Sequence, residues 1–324
     1  MFIYGPPAHV QTYVQAVALS ETINKYSEWL SCTPVEGTSP PNNAKTIGTD
    51  PDLRGRSLMH CPNPNHWEFM NVPRLTEGVD FDFSEMRYVL YMGLAACGMI
   101  SVNPDITTIA DFKGKTINVS DQPPPPGGAT GDLAGWDQFS QLILSEVEAA
   151  GLDTDKDIDK EFLNFGDSHI ALKDGLLDSA LTGFTARDAR KGEWSPAGYL
   201  IEVMDTVDTY YIDFNPDSLG KTVQETGLPY PPYVLPANTL TGQTAPWNLS
   251  VKHMSWNCFS EFPDDVVTEI LNVIGAHYDE LPDFDPQFAD VRKENFGMMG
   301  PSVEYYHPVT LQYCKDNNLQ IGAY

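Results

Sequence analysis

The sequence predicts an α/β protein of two domains, with parallel-type sheets flanked by helices, and three observations carry that expectation. At 324 residues, the chain is too long for one small module at roughly 100 to 200 residues per domain. Along both halves, short apolar runs bounded by Gly, Pro and Asn alternate with segments whose apolar residues recur at helical spacing. Hydrophobic residues make up 41% and charged residues 20%, the composition of a chain with a large core rather than a disordered one.

The elements follow in order. Residues 1–4 read as a strand, the Gly5-Pro6-Pro7 turn ends it, and Val10, Val14, Val17 and Ile23 share a helical face. Residues 29–35 read as the next strand. Thr38, Ser39, Pro40 and Pro41 then place hydroxyls and prolines where a helix begins. A third strand over 56–61 runs into a Pro-Asn loop at 62–66. Residues 88–102 read as two consecutive strands broken at Gly93, and 115–120 as another. After the proline run at 122–128, Trp136, Phe139, Ile143 and Val147 keep the 3.6 period of a helix. An acidic linker is expected over 153–161, a strand over 162–165, a helix capped by Asp167 and stopped at Gly175, and a strand over 179–183. Beyond residue 204 the chain reads as irregular until a helix over 264–278, where Val267, Ile270, Leu271 and Ile274 share a face.

The 45 acidic residues against 19 basic ones set a net charge of -26, which repels a phosphate backbone and an anionic lipid surface, so nucleic acid is not an expected partner. The longest uncharged apolar run, at residues 88–102, is about 15 residues long and contains two glycines, short of the roughly 20 residues that span a bilayer. Gly114-Lys115-Thr116 lacks the earlier glycine of a phosphate-binding loop, and neither GxGxxG, GxSxG nor HExxH occurs. Asp153, Asp155 and Asp157 begin a calcium-loop spacing, but Ile158 stands where its glycine belongs. His60, Cys61 and His66 lack a fourth ligand. Five widely spaced cysteines form no disulfide framework. No cofactor, metal or catalytic residue is expected.

Several segments, in order, resemble one family. Gly5 with the helix from Tyr13 to Leu19 is similar to an opening glycine loop and helix. Glu36-Gly37-Thr38-Ser39 with Asn42 resembles a TGGS-x-x-N turn, and residues 109–117 resemble an "sl-DL-kGK-ri" entry into a second domain. Leu172-Lys173-Asp174-Gly175 with Leu177-Asp178-Ser179-Ala180 is similar to "LkdGkiDAa", and Tyr306-His307-Pro308 through Tyr313 to "hPGAvkYYkE". Together they resemble the TAXI family of TRAP-transporter solute receptors, nearly end to end. The family's GSGT loop is replaced by Gly127-Gly128-Ala129-Thr130, and its C-terminal Pro-Gly by Pro308-Val309.

The resemblance implies a two-lobe periplasmic binding protein fold of type II, with lobe I formed by 1–93 and 206–324, lobe II by 94–205, and hinge segments joining them. It implies a monomeric receptor that closes over a small organic acid or amino acid and delivers it to the membrane components of a TRAP transporter. A ligand-sensing domain or an enzyme on the same scaffold is the alternative. The strand-first N-terminus and the net charge lead to the expectation of an exported, periplasmic protein whose leader precedes Met1.

Candidate ligand contacts follow from the strand ends. Thr38 and Ser39 open one helix, with Asn42 one turn inside, and Ser120 and Thr130 flank the proline loop; hydroxyls and free N–H groups at helix starts hold anions, although each hydroxyl serves equally as a plain cap or turn residue. Tyr4, His9 and Phe184 have apolar bodies suited to a pocket wall, and equally to the core or its rim; His66 and Thr185, next in sequence to Phe184, are further candidates. Glu36 suggests an amino group on the ligand or is simply a solvated surface carboxylate, and Arg187 is placed for a bidentate carboxylate contact or an ordinary surface ion pair. Trp194, Trp247, Tyr210, Tyr211 and Tyr233 supply either an aromatic wall or ordinary core.

Overall fold

The structure is a computed structural model that describes residues 1–8, 12–120 and 136–322. It divides into two compact units, one of residues 1–70, 75–94 and 253–324, the other of 71–74 and 95–252. The main chain changes unit around residues 71–74 and within two long strands, at 94/95 and 252/253.

In chain order the elements are β1 (Phe2–Tyr4), α1 (Thr12–Tyr26), β2 (Thr33–Val35), α2 (Pro40–Gly48), α3 (Pro51–Arg54), β3 (Ser57–Pro62), α4 (Asn63–Asn71), α5 (Pro73–Thr76), β4 (Met86–Ser101), β5 (Lys115–Ser120), α6 (Gln138–Ala149), β6 (Ile158–Phe162), α7 (Phe165–Lys173), β7 (Ala180–Asp188), β8 (Glu193–Pro196), α8 (Gly198–Thr206), β9 (Tyr210–Ile212), α9 (Pro216–Thr226), β10 (Pro232–Leu235), β11 (Trp247–Phe259), α10 (Asp264–His277), α11 (Leu281–Phe284) and α12 (Pro308–Asp316).

In the first unit β1 pairs in parallel with β2 and with β3, as strands joined by crossover helices must. The C-terminal part of β11 lies antiparallel to β3, Met254 opposite Pro62 and Asn257 opposite Met59. Ala44 and Ile47 of α2 pack there with Met59, Cys61, Phe69, Phe83, Met86 and Phe259. In the second unit β7 runs antiparallel to the C-terminal half of β4, from Ala95–Thr185 to Ile100–Ala180. β5 and β6 are parallel, and a parallel bridge between Ile117 and Ser179 joins them to the start of β7. The sheets are therefore parallel where strand and helix alternate and antiparallel along the crossing strands.

Several elements differ from the sequence expectation. Residues 88–102 form one strand, not two: Gly93 takes φ 151°, a conformation glycine adopts without a Cβ penalty, and the strand continues through it. In the expected Pro-Asn loop at 62–66, Pro62 ends β3 and residues 63–66 form the first turn of α4, where Pro64 is tolerated because that N–H has no helical partner. The acidic segment contains β6, whose register against β5 supplies the pairing that its charged residues conceal. Asn164, not Asp167, caps α7, and its side chain accepts the Asp167 N–H. The chain beyond 204 holds β9, β10 and β11. Residues 206–252 were expected in lobe I; they pack with 95–205, because β9 pairs with Met99–Ser101 of β4 and β10 with residues 247–250 of β11.

Asp153, Asp155 and Asp157 each pair with a lysine, Lys156, Lys160 and Lys113 respectively. All five cysteines are buried free thiols. Among the described residues no helix is long and apolar enough to cross a membrane.

Candidate functional site

In the first unit the strand ends converge on two short loops held by a residue that sequence reasoning passed over. Asn43, one residue inside α2 from the expected Asn42, is buried. Its Nδ2 donates to the Gly5 carbonyl at 3.0 Å and its Oδ1 accepts the Thr38 N–H at 3.0 Å, while the Gly5 N–H donates to the Val35 carbonyl. One side chain thus ties the loop after β1 to the loop after β2. A Cβ on Gly37 would stand 2.4 Å from both the Asn43 Oδ1 and the Gly5 carbonyl oxygen, so only glycine fits.

The other expected contacts of this unit take defined places around that tie. Glu36 is exposed, and its carboxylate accepts the Ala8 N–H at 2.9 Å; that bond positions the loop after β1. Thr38 is exposed. Ser39 is the N-cap of α2, with its Oγ accepting the Asn42 N–H at 3.5 Å and Pro40 and Pro41 filling the first turn. Asn42 is exposed. Tyr4 packs against the core of the unit, and burial raises its hydroxyl pKa. His66 is buried in α4, with Nδ1 3.0 Å from the Tyr88 hydroxyl and its ring set edge-on to Tyr88 and Tyr305. Burial pulls its pKa down to about 4, so it is a neutral packing residue at physiological pH. His9 lies outside the described residues.

The second unit has its own strand-end site. β5 and β6 end at Ser120 and Phe162, beside the starts of α6 and α7. A cavity of about 40 Å³ there is lined by Asn118, Ser120, Phe139, Leu163, Asn164, Phe165 and Leu181. Ser120 is buried, and its Oγ donates to the Asp137 carboxylate at 2.9 Å. Asp137 is the N-cap of α6; it also accepts the N–H groups of Phe139 and Ser140 and the Ser140 hydroxyl. Desolvation raises its pKa, against the pull of those donors. Asn118 exchanges two hydrogen bonds with the backbone of Leu163, which locks the end of β5 to the end of β6. Phe139 meets Phe165 edge to face, ring centroids 5.5 Å apart, and the Lys252 ammonium stands 4.8 Å from the Phe139 ring centroid.

Phe184 is buried against Trp194 and Trp247, which fits the core reading of that residue. The Trp247 ring lies tilted to Tyr211 at 4.8 Å and Trp194 edge-on to Tyr233 at 5.4 Å, so Trp194, Trp247, Tyr211 and Tyr233 pack in one cluster with Phe184. Thr185 is half-buried beside it on β7. Arg187 is exposed, donates to the Ser195 hydroxyl at 3.1 Å, and borders an open depression of about 510 Å³ with Lys191, Glu193 and Asn238. Thr130 lies outside the described residues. Sequence reasoning did not single out Asn43, Asp137, Asn118, Asn164, Phe165 or Lys252 as candidates, and took Phe139 only as part of a helix face. The Asp-x-Phe-Ser start of α6 was the available signal for Asp137 as a cap.

No protein-family model matches the sequence, and no curated protein matches it. Solved structures match its fold. MatC from Rhodopseudomonas palustris with bound malate aligns over 98% of this chain and 95% of its own, with a TM-score of 0.51 and 11% identity. A TctC solute-binding protein from Polaromonas, without ligand, aligns over 89% and 88% at a TM-score of 0.49 and 11% identity. An R. palustris protein with adipate aligns over 89% and 86% at 0.48 and 12%. The chain has the mixed α/β fold of the two-lobe periplasmic binding proteins.

Proposed function

We propose that the protein is an extracytoplasmic solute-binding receptor that captures a small organic acid or amino acid and presents it to the membrane components of a TRAP-type transporter, as a member of the TAXI family. The match of fold to malate-bound MatC over nearly the whole of both chains carries this reading. The geometry supports it: each unit ends its parallel strands at helix starts furnished with amides and hydroxyls, the position at which open α/β sheets bind ligands. In this reading Thr38 and Ser39 serve in lobe I and Ser120 with Thr130 in lobe II, and the hinge segments are the two crossing strands.

Mass spectrometry of small molecules released from the purified protein by denaturation tests it. A stoichiometric acid or amino acid, unchanged on prolonged incubation with the protein and accompanied by a smaller scattering radius of gyration when bound, is the expected result. A product that accumulates with time would replace the receptor by an enzyme on this scaffold.

A further inference from the structure

Lys252 is a basic residue on a largely buried strand, in a setting the fold alone does not explain. It lies on β11, where eleven of thirteen positions are buried and Lys252 is one of the two that are not. Eight other lysines make carboxylate pairs, as a chain with 45 acidic and 19 basic residues readily allows. Among the described residues no Asp or Glu lies within ion-pair distance of the Lys252 ammonium, which stands 4.8 Å from the Phe139 ring centroid.

That ring also forms a wall of the strand-end cavity of the second unit. The polar side chains of the cavity are already committed within the protein: Asn118 to Leu163, Ser120 to Asp137, and Asn164 to Asp167. Lys252 is not part of the lining, but it stands on the Phe139 ring that is, and its ammonium brings three donors. An ammonium set against an aromatic face is partly stripped of water, so an anion meeting it there interacts more strongly than at an open surface.

We propose that Lys252 reads the charge of the solute, binding its carboxylate beside the Phe139 and Phe165 rings while those rings cover the adjoining apolar carbons. This rests on the receptor reading and assigns the carboxylate contact to Lys252 instead of Arg187, which is exposed and bonded to Ser195.

Calorimetric titration of wild type, Lys252→Gln and Lys252→Arg with malate, adipate, hexanoate and glutamate, each beside its neutral amide, tests the proposal. Thermal unfolding of each variant controls for folding. For whichever acid the wild type binds, Lys252→Gln is expected to weaken it roughly 10- to 100-fold, the scale of a charge-assisted hydrogen bond. Lys252→Arg should retain most of the affinity, and the amide should bind weakly to wild type and variant alike. Native acid affinity in a folded Lys252→Gln protein overturns the assignment and leaves the receptor reading intact. So does a wild type that binds the amides and no acid. A wild type that binds none of these probes and carries no solute through purification overturns both.

Discussion

Asn43 carries more of the first strand-end site than any residue singled out from sequence. Its amide uses a donor and an acceptor on two different loops, and truncation leaves the buried Gly5 carbonyl and Thr38 N–H without that partner. Asn43→Ala is expected to cost about 1 to 3 kcal/mol in urea unfolding, whereas exposed Asn42→Ala should change stability by less than about 0.5 kcal/mol. Equal effects would mean that the tie does not hold the loops. The buried histidines make a second statement at this scale. Burial pulls His66, His169 and His253 each down to about 4, while an unfolded histidine titrates near 6.5. Between these values the unfolded chain binds more protons than the folded one, so their contribution to stability falls as pH drops from 6.5 toward 4. Buried Asp137 and Glu146, with raised pKa values, act in the opposite direction. His169→Gln therefore isolates the effect: its unfolding free energy should depend less steeply on pH than wild type across that window, and an identical slope would remove His169 from the account.

Among the elements, α6 depends most on a single cap. Asp137 satisfies two backbone N–H groups at the helix start and gathers the Ser120 and Ser140 hydroxyls. Asp137→Ala is expected to destabilise by about 1 to 2 kcal/mol, and because Ser120 then loses its acceptor, solute affinity should fall as well. Ser120→Ala separates the two roles: lowered affinity at near-native stability marks a ligand contact, and lowered stability at native affinity marks a residue that only braces the cap. The crossing strand β4 has a comparable point of sensitivity. A Cβ at Gly98 would stand 2.4 Å from the Trp247 ring, and the Trp247 indole N–H is already donated to the Ile212 carbonyl, so the ring cannot simply swing away. Gly98→Ala should cost about 1 to 3 kcal/mol by overpacking, read as a lowered urea midpoint; no change would show that β4 shifts freely against its neighbour.

For the whole molecule, the net charge of -26 is the dominant physical property. Self-repulsion among carboxylates opposes compaction and is screened by salt. The melting temperature should therefore rise as sodium chloride increases from about 0.05 to 1 M, where the Debye length shortens to about 3 Å. A melting temperature that falls with salt would show that the ion pairs of Arg54 and the paired lysines outweigh the repulsion. In the proposed receptor, the same field opposes the approach of an acid, which is why that proposal places a cation, Lys252, at the acid's destination.

Local chemistry alone determined much of this protein. The order of β1, α1, α2, β5, α6, α7 and α10 is written in short-range periodicity and punctuation, and Ser39 with two prolines marks the start of α2 because an N-cap is satisfied within its own turn. The excess of acid over base likewise follows from composition. The tertiary structure decided the rest, since these features depend on partners far away in the chain. β11 becomes a strand by pairing with β3, nearly two hundred residues earlier, and β6 survives its charges because β5 supplies its ladder. Asn42 and Asn43 are the same residue type side by side, but one residue turns a helix by about 100°, which sends one amide to solvent and the other to the loops. Lys252 is one lysine among twelve in the sequence; that it stands on Phe139 with no carboxylate beside it among the described residues is a consequence of packing.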